Sequence, residues 1–156
     1  MVKFLKKFID IVFIVIIAIL SLYFILRLTG IVNVYKVETG SMENSIHVND
    51  YIFVWKTKNY TVKDVVTFEY EDTYVTHRIV KVDENNIVTK GDANNTEDDP
   101  VSVDKVVGEV IYSGGLLNIV INYKYIIIAI MIGIYILSIY LDKKDVKEKE
   151  VKNEEV

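Results

Sequence analysis

A serine, a histidine and a group of aspartates stand in an order that could carry acyl transfer. Ser41 lies in Thr39-Gly40-Ser41-Met42, His77 in Thr76-His77-Arg78, and Asp92, Asp98 and Asp99 in an acidic stretch that opens with Lys90-Gly91-Asp92. A serine hydroxyl is a weak nucleophile at neutral pH until a neighbouring base takes its proton. Histidine is the usual base, and an aspartate fixes its tautomer and steadies the imidazolium that forms. Each piece alone has an ordinary reading. A Gly-Ser pair is most often a turn, and a lone strand histidine is more often structural or merely exposed. The acidic stretch could be a solvated or calcium-binding turn, although the twelve-residue calcium loop with its closing glutamate is absent. The second histidine, His47, falls in an expected loop close to Ser41 and is expected at the surface. Serine, then histidine, then aspartate is the set a serine hydrolase requires.

These residues need rigid elements to hold them, and the middle of the chain reads as short strands. Asn33 to Glu38, Tyr51 to Trp55, Val65 to Tyr70, Tyr74 to Val82, Ile87 to Thr89 and Val106 to Tyr112 are rich in branched and aromatic residues. They are bounded by turn pairs such as Asn49-Asp50, Glu71-Asp72 and Asn85-Asn86. Gly108 is expected to break the last strand, and Gly114-Gly115 to form a hinge. Along the fourth strand, alternation puts His77 on the face of Val75 and Ile79, compatible with a partly buried imidazole. Gly40 permits a turn that holds the Ser41 hydroxyl clear of its own strand. No sustained helical period appears between Asn33 and Gly115. The middle is expected to be a small all-β domain.

The apolar residues are concentrated at the two ends. Overall 51% of the 156 residues are hydrophobic, with a mean hydropathy of +0.27. Ile11 to Leu26 is apolar apart from Ser21, and Tyr125 to Leu141 carries no charge. Each run can be extended to cross a hydrocarbon core of roughly 30 Å as a helix. A cleaved signal peptide is the rival reading of the first run, but Tyr23-Phe-Ile-Leu-Arg-Leu28 offers no small-residue cleavage site. Lys3, Lys6 and Lys7 flank the first run, and Lys143, Lys144 and Lys147 the second, so both termini are expected in the cytoplasm. The expected organisation is a cytoplasmic N-terminus (1–7), a first span (8–29), an outer domain (33–115), a second span (119–141) and a charged, solvated and disordered cytoplasmic tail (142–156). A net charge of -4 with no basic stripe gives no reason to expect nucleic acid as a partner. The chain has no cysteine, which excludes disulfides, thiolate chemistry and cysteine metal sites.

Four stretches, Thr39-Gly-Ser-Met42, Asp64-Val-Val-Thr-Phe68, Thr76-His-Arg-Ile-Val80 and Lys90-Gly-Asp92 with Asn94-Asn95 and Asp98, resemble the ordered motif boxes of type I signal peptidases. Histidine at position 77, where another branch has lysine, is similar to the endoplasmic-reticulum/archaeal-type branch. The resemblance implies a mainly β fold, a small signal-peptidase-like β domain between two transmembrane helices. It implies Ser41 as nucleophile, His77 as general base, Asp98 as triad acid and Asp92 as a supporting carboxylate, with the Ser41 N–H and the Thr39 hydroxyl as the oxyanion hole. Asp99 could take the place of Asp98 after a one-residue slip. Asn44 and Ser45 stand where the family commonly has proline and threonine. The implied protein is a serine endopeptidase, a signal peptidase I, that removes signal peptides from exported preproteins, with a preference for small residues before the cut. It would work without metal or cofactor, on the outer face of the cytoplasmic membrane. Its implied partners are signal peptides, membrane lipid and the protein-export machinery. Alternatives are a protease of the same fold dedicated to a few clients, and a membrane-anchored β domain that only binds.

Overall fold

A computed structural model describes residues 2–154, with side chains described for 4–147. The chain divides into two compact units, residues 25–121 and residues 1–24 with 122–156.

The first unit is built on a seven-stranded sheet. Its strands are β1 (Val32–Lys36), β2 (Tyr51–Trp55), β3 (Val65–Tyr70), β4 (Thr73–Val82), β5 (Asn86–Lys90), β6 (Val101–Ser102) and β7 (Val106–Ser113). The spatial order is β1-β2-β7-β3-β4-β5-β6, every neighbouring pair antiparallel. Strand alternation sends apolar residues to both faces, and each face has its own core. On one, Val66 and Phe68 pack with Ile79, Ile87, Val101 and Val106; on the other, Ile52 and Val54 pack with Met42 and Ile46. Burying a side chain such as Phe68 contributes about 1.5–3 kcal/mol, and Phe68 is 1% exposed. Two local features were not anticipated: the two-residue strand β6 and the short 3₁₀ turn Val103–Lys105 that follows it, capped by the Ser102 hydroxyl. Gly108 does not break β7. The strand runs through it, because its missing side chain admits the Trp55 carbonyl, which a Cβ there would meet at 2.4 Å.

The β3–β4 hairpin matters most for the site. Glu71 occupies the left-handed region (φ 50) at its tight turn, and Val66 lies opposite His77. β5 pairs with β4 only from Arg78 onward, Arg78 facing Lys90. The Thr73–His77 half of β4 is therefore paired with β3 but not with β5.

After β7, Gly114 and Gly115 both take positive φ, as a hinge would, and lead into a separate short helix α2 (Gly115–Asn122). Residues 119–122, expected within the second span, belong to this helix. The structure instead ends α2 at Asn122 and starts a new helix at Lys124.

The second unit contains α1 (Val2–Leu28) up to Phe24, and α3 (Lys124–Glu154). Both are long and apolar enough to cross a membrane, over Phe4–Leu28 and Lys124–Lys147. Phe13 of α1 stacks on Tyr135 of α3, ring centroids 4.6 Å apart. The charged segment after Asp142, expected as a disordered tail, continues α3 to Glu154. Lysine and glutamate are good helix formers, and the preceding turns remove the nucleation cost that would melt an isolated segment.

The close approach at Gly108 gives a direct test. Gly108→Ala should destabilise the protein by about 1–3 kcal/mol through overpacking. Urea unfolding in detergent reads the change, and an unshifted midpoint would mean that the backbone gives way freely.

Candidate active site

His77 sits where β4 loses its β5 neighbour, 6% exposed, with its ring edge-on to Phe68 at 6.4 Å between centroids. A buried imidazole needs partners, and His77 has one: Nδ1 lies 2.6 Å from Asp98 Oδ2. The same carboxylate oxygen accepts a hydrogen bond from the Thr89 hydroxyl at 2.7 Å, and the Asp98 N–H donates to the Thr89 carbonyl at 2.8 Å. Thr89, fully buried on β5, thus holds Asp98 at both backbone and side chain. With Nδ1 committed to the carboxylate, Nε2 is left as the ring's basic nitrogen. Asp99 does not share this contact, although it lines a second pocket together with His77 and Asp98.

Ser41 belongs to the segment between β1 and β2, and Met42 anchors that segment. Its side chain is 2% exposed in the core formed with Ile46, Ile52 and Val54, and its carbonyl accepts from the Ser45 and Ile46 N–H groups. Asn44 has φ 75. Asparagine tolerates that left-handed conformation, whereas a proline ring, fixed near φ of about −65°, could not adopt it. The serine segment is also tied to the acidic loop through backbone. Ala93 N–H donates to the Ser41 carbonyl at 2.9 Å, and a Cβ on Gly91 would stand 2.6 Å from that carbonyl.

Thr39, Ser41, Met42, Ile52, Thr76 and His77 are among the residues lining a cleft of about 570 Å³. Ser41 and His77 therefore share one cavity, although the hydrogen-bond network around His77 does not extend to the Ser41 hydroxyl among the described residues. Among the described residues neither the Ser41 N–H nor the Thr39 hydroxyl is engaged in a hydrogen bond, which leaves two donors at the cleft.

Asp92 is not part of the imidazole chain. It pairs bidentately with Arg78, Nε to Oδ1 at 2.9 Å and Nη2 to Oδ2 at 2.7 Å. Arg78 also donates to the Lys63 carbonyl and the Ser45 hydroxyl, so one guanidinium joins β4, the acidic loop and the serine segment. The Arg78 hydrogen bonds hold the Asp92 carboxyl below the usual carboxylate range, against the opposing effect of burial. His47 is exposed, as expected, with its backbone N–H on Asp50. Sequence reasoning gave no role to Thr89 or to the Arg78 strut. Thr89 had left a signal, since it falls on the same face as Ile87, a polar residue at an inward position.

The Asp92–Arg78 pair has a definite pH signature. A carboxyl depressed by folding contributes stability above its unfolded pKa of about 3.9, and that contribution is lost as pH falls through the lower folded value. Asp92→Asn should therefore be less stable than the parent at pH 6, with the gap narrowing toward pH 3. Urea midpoints at both pH values measure this, and a gap independent of pH would dissociate the pair from acid stability.

No curated protein matches the chain. The family described as signal peptidase, peptidase S26, matches residues 5–111, a stretch that carries every residue of the cleft and the histidine–aspartate pair. The chain belongs to this signal peptidase family.

Proposed function

We propose that the protein is a signal peptidase I of the endoplasmic-reticulum/archaeal type, a two-pass membrane serine endopeptidase that removes signal peptides from exported preproteins. The observation that carries this reading is the His77–Asp98 contact in the wall of the cleft that Ser41 lines. Family membership supports the class of reaction, and two apolar helices support a membrane location. The lysines flanking those helices favour both termini in the cytoplasm and residues 33–115 on the outer face of the cytoplasmic membrane.

In this mechanism His77 Nε2 takes the Ser41 proton as Oγ attacks the scissile carbonyl carbon. The resulting oxyanion is held by the Ser41 N–H and the Thr39 hydroxyl, donors that gain most when negative charge develops. Asp98, steadied by Thr89, accepts the Nδ1 proton in a hydrogen bond and stabilises the imidazolium. The imidazolium then protonates the leaving amine, and water, deprotonated by the same ring, releases the acyl chain from Ser41. Arg78 and Asp92 act at one remove, fixing the serine segment against the acidic loop.

The half of β4 from Thr73 to His77 that lacks a β5 partner suits an extended peptide, which would add as a strand and bring its scissile bond to the histidine. Alternate side chains of such a peptide face the same wall, in keeping with the small residues the family prefers at the first and third positions before the cut.

Ser41→Ala and His77→Ala should each abolish cleavage of a preprotein in vesicles, and the double variant should be scarcely worse than either, because the members act as a unit. Additive losses would count against a shared mechanism. Thr39→Val should lower kcat roughly a hundredfold, the loss typical of one oxyanion donor. Turnover within a few-fold of the parent would remove Thr39 from the site.

A further inference from the structure

The short helix α2 is turned inside out for a water-exposed position. Leu116, Ile119 and Val120 fall on one face and are 65%, 53% and 46% exposed. The opposite face carries the amide of Asn118, which is tucked against the sheet domain. Asn118 Oδ1 accepts from the Tyr51 N–H at 2.7 Å, and Asn118 Nδ2 donates to Asp50 Oδ1 at 2.7 Å. A helix in contact with water would put its polar side chain out and its branched aliphatics in. This pattern matches a helix lying in a membrane interface, apolar side toward the acyl chains. Chain continuity identifies the occupant: α2 ends at Asn122, and the apolar span of α3 begins at Lys124, with Tyr123 and Tyr125 around the junction. Tyrosine favours the headgroup level.

The inward side of the same helix leads to the nucleophile. Asp50, the partner of Asn118, closes the segment that starts at Ser41; its other oxygen accepts from the His47 N–H at 3.0 Å. Its own N–H donates to the His47 carbonyl, and its carbonyl accepts from Val37 N–H at the end of β1. Burial would raise the Asp50 carboxyl, yet the hydrogen bonds from Asn118 and His47 hold it below its ordinary value. Gly114, at φ +61, brings the backbone so near that a Cβ would stand 2.9 Å from Asp50 Oδ2. The start of α2, the carboxylate and the serine segment are thus clasped together.

We propose that α2 seats in the headgroup region of the lipid surface through Leu116, Ile119 and Val120, and that Asn118 is a positioning residue which, through Asp50, ties this seating to the Ser41 segment. The second half deepens the proteolytic reading and rests on it; the first half stands independently. In physical terms the docked helix that leads into the second span adds a brace at the far end of the nucleophile segment, opposite the Met42 anchor.

The absence of cysteine in the chain makes single-site spin labelling clean. Cysteine would be placed singly at Leu116, Ile119, Val120, Val48 and Glu84 in the full chain, in phosphatidylcholine–phosphatidylglycerol vesicles. Labels at 116, 119 and 120 should be relaxed by lipid-soluble oxygen and protected from a water-soluble nickel chelate, with the reverse at 84 in the β4–β5 turn. Nickel access at 119 equal to that at 84 overturns the lipid seating. Adding Asn118→Ala should increase the mobility of the label at 48 and leave that at 84 unchanged. On a signal-peptide substrate the unlabelled Asn118→Ala chain should lose roughly tenfold or more in kcat with KM little altered, since misplacing a reacting group by an ångström can cost a hundredfold. An unchanged label at 48 together with unchanged kcat overturns the coupling. Cleavage by the parent that does not depend on Ser41 would sink the proteolytic reading and the coupling that rests on it, while the oxygen and nickel measurements would still decide the seating.

Discussion

Burial of an imidazole beside a carboxylate is the constraint around which the domain is arranged. Removing His77 from water is tolerable because Nδ1 meets Asp98, and the Asp98 oxygen it meets is already fixed by Thr89. A carboxylate with one hydrogen-bonded orientation can hold a ring in one tautomer, which a freely rotating one could not. That requirement accounts for β5 reaching Thr89, while the Thr73–His77 part of β4 runs without a β5 partner. The same strand pairing that shields one nitrogen of the ring leaves its other end beside an open cleft. Core packing on both faces of the sheet then immobilises the two sides of the cleft, His77 against Phe68 and Ser41 through Met42.

Much of this was legible in the chain. The strands are short and strongly patterned, so six of the seven followed from residue type, and the alternation of Val75, His77 and Ile79 was compatible with the buried imidazole that the structure has. Motif order singled out Ser41, His77 and Asp98 before any geometry was available. Spacing from Asp92 favoured Asp98 without closing the door on Asp99, because a one-residue slip in an acidic loop leaves composition unchanged; Nδ1 of His77 meets Asp98. Asp92 was expected as a supporting carboxylate, but its partner, Arg78, could not be read from the motif. Gly108 misled for a related reason. A glycine within a strand can mark a break or the close passage of another backbone, and only the neighbouring strand decides which. The α2 helix was hidden because its apolar outer face merges, in a linear reading, with the span that follows.

The acidic loop and the serine segment meet chiefly through main-chain atoms and one guanidinium. The Ser41 carbonyl and the Ala93 N–H form a bond that no side chain need supply, and Arg78 holds the rest. Long-range order across the site therefore requires few residue identities. It depends more on the path of the backbone than on what decorates it.

The close passage at Gly91 carries this to its end. Where two loops touch backbone to backbone, the sequence around the contact is free to drift in charge and size, but the contact itself leaves no room for a single added carbon. Asn94 is caught in the same limit, its side-chain nitrogen 2.7 Å from where that carbon would stand, while residues 95 to 97 are exposed and lie clear of it. One loop thus holds both a packed end and an open one, and its residue without a side chain sits at the packed end.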